Sequence, residues 1–144
     1  MADAVQAKGL VKDFGDVRAV DGIDLRIPRG SFYGIAGPNG AGKSTTLRML
    51  TGLLRPDAGS AEVGGVQVWP NPRLAKSVLG FVPDNPVLFD RLTAPEMLQY
   101  AGMLHRMPPE AIVARSTELL RVLDLEDSRN RLIADFSLGM VKRI

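Results

Sequence analysis

The sequence predicts an α/β fold, with an antiparallel β region in its first part and a helical region after residue 92. Residues 4–12 and 17–27 alternate apolar and polar side chains, which is typical of paired strands with one solvated face. A glycine-rich stretch at residues 37–44 separates a short apolar run from a helix-like segment. From residue 93 onward the apolar residues recur at helical spacing.

Local signals predict the shorter elements of the β region. Phe14, Gly15 and Asp16 are expected to form the turn between the first two strands. Residues 31–36 (SFYGIA) are mostly apolar and bounded by glycine, which favours a strand buried on both faces. The other predictions are a helix over residues 43–51 ended by Gly52, a hairpin over 61–68 around Gly64 and Gly65, a second buried strand over 77–82, and a loop over 83–92.

The helical region begins with a capping signal. Thr93 is followed three residues later by Glu96, with a proline in the first turn, which predicts a helix start. A second helix is expected from Pro109, with an apolar face that contains Ile112 and Leu120. Ser137 is placed to cap a last helix.

Composition excludes several classes of function. The chain has 144 residues, of which 45% are hydrophobic, which is enough apolar material for a globular core. The net charge of +2 is too small to argue for nucleic acid as a partner. Cysteine is absent, so disulfides and thiolate chemistry are excluded. The N-terminus lacks the pattern of a signal peptide, and no apolar run reaches the roughly 18 residues of a spanning helix.

The glycine-rich stretch matches the pattern G-x-x-x-x-G-K-[ST] without departure. Glycines allow successive backbone N–H groups to turn inward, and the following helix directs its positive end at the same point. A lysine adds a point charge for phosphates, and a hydroxyl can bind Mg²⁺. The predicted nucleotide-binding residues are Gly37, Pro38, Asn39, Gly40, Ala41, Gly42, Lys43, Ser44 and Thr45.

The wording of this loop, GPNGAGKST at residues 37–45, is strongly similar to that of ATP-binding-cassette (ABC) ATPases. The flanking stretches LVKDFGDVRAVDGIDLRIPRG and LRMLTGLLRPDAGSAEVGG resemble the same family. Residues 136–143 (FSLGMVKR) resemble the ABC signature in the variant S-x-G-M, which looks like that of ATPases serving ABC-2-type exporters. The resemblance covers essentially the whole chain and implies an incomplete P-loop NTPase core of the ABC type.

The resemblance also implies a domain organisation. Residues 1–92 would form the nucleotide-binding core and an antiparallel β subdomain. Residues 93–136 would form the helical subdomain, and residues 137–144 the start of the signature helix.

The resemblance implies roles for single positions beyond the loop. Phe14 matches the aromatic residue that stacks on adenine, although a simple turn hydrophobe is the alternative. Asp84 stands where the family usually has a glutamine that touches Mg²⁺, so Ser44 and Asp84 are the candidate metal ligands, with a turn residue as the alternative for Asp84. The signature residues Ser137, Leu138, Gly139 and Met140 would contact the ATP held by a second subunit, unless Ser137 is only a helix cap.

The implied cofactors are ATP and Mg²⁺, and the implied partners are an integral-membrane permease and a second ATPase subunit in a head-to-tail dimer. The protein would then be cytoplasmic and attached to the inner face of the membrane through the permease. In the family, an aspartate, a catalytic glutamate and a switch histidine follow the signature, and none is matched within these residues. His105, the only histidine, precedes the signature and is expected to be structural or at the surface.

We therefore expect the 144-residue chain to bind ATP weakly, to show no hydrolysis above background, and to self-associate through apolar surface. Three other interpretations are open. One is a soluble ABC ATPase without a membrane partner, and another is a self-contained P-loop kinase or GTPase that uses Asp84 for its metal. The third is a non-catalytic nucleotide-binding fragment.

Overall fold

The computed structural model describes residues 3–144, so Met1 and Ala2 at the start of the predicted first domain lie outside it. The chain divides into two compact units, one ending at Phe81 and the other beginning at Val82. The subdivision predicted after residues 92 and 136 stays a prediction. Across the part of the chain that is described, no helix is both long and apolar enough to cross a membrane.

The first unit contains the strands β1 (Asp3–Phe14), β2 (Val17–Pro28), β3 (Ala58–Val63) and β4 (Val66–Gln67), which form an antiparallel sheet with the order β2-β1-β3-β4. The predicted strand pair is confirmed, because β1 pairs with β2 through a turn at Gly15 and Asp16. The predicted hairpin is also confirmed, and its Gly64 and Gly65 have positive φ angles of 60° and 86°, which a two-residue hairpin turn requires.

Helix α1 (Lys43–Leu50) packs on one face of this sheet. Its Met49 is fully buried in the same cluster as Leu10 of β1. Truncating either side chain to alanine removes about 2–5 kcal/mol of stability in comparable cores. The helix stops as predicted at Gly52, whose φ of 69° lets Leu53 N–H reach the Arg48 carbonyl at 2.9 Å.

Two predicted strands are wrong. Residues 31–36 and 78–82 lie outside any helix or strand, and Ser77 ends a short helix, α2 (Pro72–Ser77), that sequence patterns did not predict. Phe32 is fully exposed, with a relative accessibility of 104%. The physical reason is that an apolar run becomes a buried strand only when another strand accepts its backbone hydrogen bonds. Within residues 3–144 neither segment has such a neighbour.

The second unit contains helices α3 (Ala94–Leu104), α4 (Pro109–Val122) and α5 (Leu138–Val141), with single 3-10 turns at Glu126–Ser128 and Ile133–Asp135. The predicted starts at Thr93, Pro109 and Ser137 are confirmed. The absence of a side chain at Gly102 lets α3 approach α4 closely, because a Cβ there would lie 2.7 Å from Ile112 Cγ1. Ala94, Leu120 and Leu125 form the buried centre of this unit.

The capping box of α3 provides a stability test. Thr93 Oγ1 accepts from Glu96 N–H at 3.5 Å, and Glu96 Oε2 accepts from Thr93 N–H at 2.7 Å. We expect Thr93→Ala to lower the free energy of unfolding by about 1 kcal/mol, measured by urea denaturation at neutral pH. Thr117→Ala is the control, because Thr117 bonds back to Val113 within a helix and should be close to neutral. Equal losses for both variants would contradict a capping role.

The same cap carries a pH dependence. The Thr93 N–H and then the Thr93 hydroxyl hold the pKa of the Glu96 carboxyl below its ordinary value. Because the folded pKa is the lower one, this stabilisation is complete above the unfolded value of about 4.3 and is lost as the pH falls through the lowered value.

The exposed segment at residues 31–36 provides a second test. Phe32, Tyr33 and Ile35 are exposed beside backbone that pairs with no strand of the described chain, which favours association between copies. We expect Phe32→Ser/Ile35→Ser to reduce the self-associated fraction in sedimentation velocity. Val113→Ser is the control, since Val113 is an exposed apolar residue on a helix that makes its own backbone hydrogen bonds. A wild-type chain that sediments as a monomer would contradict this prediction.

Candidate functional site

The glycine-rich loop turns sharply before α1. Ala41 N–H donates to the Pro38 carbonyl at 3.3 Å, which closes one turn. Gly40 and Gly42 have φ angles of 82° and 79°, in the left-handed region that favours glycine. The loop is therefore curled rather than extended, as a phosphate-binding loop must be.

Gly42 also ties the loop to the sheet. A Cβ at this position would lie 2.3 Å from the Ala19 carbonyl oxygen and 3.1 Å from Val20 Cγ2. No other residue fits, because any side chain would collide with the backbone of β2. The close approach fixes where α1 begins relative to the strand.

Backbone donors are left free at the point where the loop meets α1. Among the residues described, no acceptor takes a hydrogen bond from the N–H groups of Gly40, Gly42, Lys43, Ser44 or Thr45. The first turn of α1 also contains no acidic residue. Free N–H groups at the positive end of a helix form a binding site for an anion.

The Lys43 ammonium lies against the loop. Its Nζ donates to the carbonyl oxygens of Gly37 and Pro38, each at 2.7 Å. An ammonium group has three donors, so one remains available beside the free N–H groups. Lys43 also lines a cleft of about 350 Å³, whose other walls include Tyr33, Ala41 and Asp24.

Thr46 is a residue of this region that sequence reasoning missed. It is 3% exposed, and its Oγ1 has no hydrogen-bond partner within the described chain. Its backbone N–H donates to the Gly42 carbonyl at 2.8 Å and so forms the first turn of α1. A buried threonine directly after G-K-S-T is an ordinary helix residue by pattern, so the sequence contained no signal for it.

Phe14 ends β1, at the turn into β2. Its side chain is 50% exposed, and it pairs with Val17 of β2. The loop contacts the same strand at Ala19, two residues further along, which corresponds to about 7 Å of strand.

Lys12, which lies beside Phe14, and its ion-pair partner Asp57 were also missed. Lys12 Nζ lies 5.6 Å from the centre of the Phe14 ring and 2.9 Å from Asp57 Oδ1. Asp57 accepts a further hydrogen bond from Asp13 N–H at 2.8 Å. This N–H and then the Lys12 ammonium hold the pKa of the Asp57 carboxyl below its ordinary value.

The two predicted metal ligands belong to different units. Ser44 is an exposed residue in the first turn of α1 in the first unit. Asp84 is exposed in a loop of the second unit. Their joint role at a metal stays a prediction.

The signature residues surround the start of α5. Ser137 Oγ accepts from Met140 N–H at 3.3 Å, so Ser137 is an N-cap in the structure. Leu138 and Gly139 are exposed, whereas Met140 packs on the centre of the second unit. A contact between these residues and a nucleotide on another subunit stays a prediction. His105 is exposed at the C-terminal end of α3, which agrees with the expected surface position.

A curled glycine loop that opens a helix against a sheet defines a P-loop nucleotide-binding protein. Comparison with known families matches residues 20–144 to the ABC transporter family, and the chain belongs to that family. This confirms the family that the sequence resemblance predicted, and with it the predicted fold class, although two of the expected strands are not formed.

The curated relatives include resistance and export proteins. The chain is 42% identical over 141 residues to the daunorubicin/doxorubicin resistance ATP-binding protein DrrA of Streptomyces peucetius, which covers 98% of this chain and 43% of that protein. It is 36% identical over 140 residues to the linearmycin resistance ATP-binding protein LnrL of Bacillus subtilis strain 168, covering 97% and 45%. The chain thus spans less than half the length of these relatives.

Solved structures agree with this fold. A structure of an ATP-binding subunit of an ABC transporter superposes with a TM-score of 0.84 at 28% identity, covering 97% of this chain and 58% of that one. The structure of cbiO1 from Clostridium perfringens, part of the ABC transporter complex cbiONQ, gives a TM-score of 0.78 at 24% identity, covering 98% and 58%.

The two loop glycines allow a matched test of the close approach at Gly42. Gly40→Ala adds only the cost of a left-handed alanine, about 1–2 kcal/mol, because nothing lies within 4 Å of its Cβ. Gly42→Ala adds the same backbone cost and a collision with Ala19. We expect the larger loss for Gly42→Ala, in unfolding free energy by urea denaturation and in ATP affinity by calorimetry. Equal effects would show that the contact with β2 is unimportant.

Proposed function

We propose that this chain is the nucleotide-binding part of an ABC transporter ATPase subunit that couples ATP binding and hydrolysis to export. The observation that carries the proposal is the group of unpaired N–H donors between Gly40 and Thr45, next to the Lys43 ammonium. Such a site recognises a polyphosphate. The direction of transport is supported by the resistance and export names of the relatives and by the sequence SLGM at residues 137–140.

Each part of the loop has a role in this proposal. The N–H groups of Gly40, Gly42 and Lys43 would bind phosphate oxygens. The other members of the site would shape or extend the loop: Gly37, Pro38, Asn39, Ala41 and Thr45. The Lys43 ammonium would neutralise the terminal phosphates. The exposed Ser44 hydroxyl fits a Mg²⁺ ion that also binds the phosphates, because hydroxyl and phosphate oxygens suit this hard cation.

Phe14 would stack on the adenine. Its ring is half exposed, and it lies two residues along the β ladder from the point where the loop contacts β2. Stacking between an aromatic side chain and a base needs only the two ring faces. The turn hydrophobe alternative predicts no effect of Phe14 on nucleotide affinity.

The second unit would supply further contacts to the metal ion and to the partner proteins. Asp84 would bind the Mg²⁺ ion directly or through water. Ser137, Leu138, Gly139 and Met140 would face the ATP of a second subunit in a head-to-tail dimer, with a helix N-terminus directed at the anion. An integral-membrane permease would be the other partner, and it would hold the subunit at the cytoplasmic face of the membrane.

Hydrolysis needs a metal ion held on both sides and a water molecule oriented for attack. Across residues 3–144 no group of three or more His, Cys, Asp or Glu side chains is placed to hold a metal ion. Ser44 and Asp84 are the proposed metal ligands, and no described residue matches the family's catalytic glutamate. The 144-residue chain is therefore expected to bind ATP·Mg without turnover.

Lys43→Ala tests this proposal. We expect the wild-type chain to bind both ATP·Mg and inorganic tripolyphosphate in calorimetry, and the variant to bind both at least about tenfold more weakly, since a charge-assisted contact is lost. Lys8→Ala is the control, because Lys8 is an exposed lysine of the same sheet. Phosphate release by the wild-type chain should equal background.

Two outcomes would contradict the proposal. Failure of the wild-type chain to bind either ligand would remove its foundation. Steady phosphate release that Lys43→Ala abolishes would instead favour a self-contained P-loop kinase or GTPase.

A further inference from the structure

We infer that Lys12 and Asp57 hold the Phe14 ring as a stacking surface with one covered face and one free face, so that Lys12 is a positioning residue for the nucleobase. The inference rests on the proposed function, because it assigns how that function's base-binding aromatic is kept in place. Neither Lys12 nor Asp57 belongs to the glycine-rich loop.

The contacts around Lys12 are specific. Its ammonium lies 5.6 Å from the centre of the Phe14 ring, a distance at which a cation is attracted to the ring face. The same ammonium is 2.9 Å from Asp57 Oδ1. The side chain of Lys12 is only 14% exposed, although lysine is usually among the most exposed residues. The structure thus holds this cation against the Asp57 carboxylate and near the Phe14 ring, largely away from solvent.

Asp57 is in turn fixed by the backbone. Its Oδ2 accepts from Asp13 N–H at 2.8 Å, and its own N–H donates to the Val11 carbonyl at 2.9 Å. These bonds follow from the pairing of β1 with β3, in which Val11 lies opposite Ala58. Lys12 is therefore anchored by a carboxylate whose position the sheet determines.

A cation on one face of the ring has two consequences for the other. It covers one face of the ring, so a base would stack on the other face only. It also attracts the π electrons of the ring and restricts the rotation of the ring. Because the ring is already restricted, less conformational entropy is lost when a base stacks on it. The ligand class is an aromatic base joined to a polyphosphate. Lys12 and Asp57 would affect the binding of the base and not that of the polyphosphate.

The test uses the 144-residue chain and compares the dissociation constants of ATP·Mg and inorganic tripolyphosphate by calorimetry. Lys12→Met keeps an unbranched apolar side chain that is one atom shorter and removes the charge. We expect it to weaken ATP binding roughly threefold and to leave tripolyphosphate binding unchanged. Lys12→Arg should restore ATP binding, and Lys8→Met on the same strand should match the wild type.

A double-mutant cycle separates positioning from general stabilisation. Phe14→Ala should weaken ATP binding about three- to tenfold without affecting tripolyphosphate. Adding Lys12→Met to Phe14→Ala should cause no further loss, because the ring through which Lys12 acts is gone. If Lys12→Met unfolds the chain, Asp57→Asn replaces it, since the amide still accepts from Asp13 N–H but no longer pairs with the ammonium.

The outcomes distinguish this inference from the proposed function. Equal weakening of ATP and tripolyphosphate by Lys12→Met, or an undiminished loss in the Phe14→Ala background, would overturn the positioning role. The positioning role would also be overturned if Lys12→Met bound ATP with wild-type affinity while Phe14→Ala weakened ATP binding. If the wild-type chain binds neither ligand, the proposed function itself fails, and this inference fails with it.

Discussion

The close approach of Gly42 to the Ala19 carbonyl is the contact on which the candidate site depends. It joins the start of α1 to the backbone of β2, and it leaves no space for a side chain. The free N–H groups of the loop lie at the start of α1. Since β2 fixes the position of that start, the strand determines where an anion can bind. Met49 and Leu10, buried on either side of the interface between α1 and the sheet, supply the hydrophobic stabilisation that keeps this contact closed.

The sheet also connects the loop with the aromatic residue. Phe14 pairs with Val17 on the strand that contacts the loop, and Asp57 reaches the same end of β1 through the pairing of β1 with β3. Two ladders of one antiparallel sheet therefore set the positions of the loop, Phe14 and Asp57. The proposed base and phosphate contacts keep their separation because hydrogen-bonded strands neither stretch nor slide without losing many bonds at once.

Sequence patterns predicted the parts of the fold that depend on local chemistry. The loop, the end of α1 at Gly52 and the capping box at Thr93 each follow from residues within one turn of the chain, and all are present. Residues 31–36 were predicted wrongly because a strand requires a neighbour, which a local pattern cannot supply. The pair of Lys12 with Asp57 was missed for a related reason: the two residues lie 45 positions apart and meet only through the register of β1 and β3.

The two hydrogen bonds of the Lys43 ammonium affect how nucleotide recognition would proceed. Nζ donates to the carbonyl oxygens of Gly37 and Pro38, and these two bonds hold the loop in its curled conformation. A phosphate that binds this ammonium would replace carbonyl partners, so part of the enthalpy of the lysine contact is an exchange of hydrogen-bond partners. The affinity of the loop for a phosphate therefore reflects a difference between two hydrogen-bonded states of the same ammonium group.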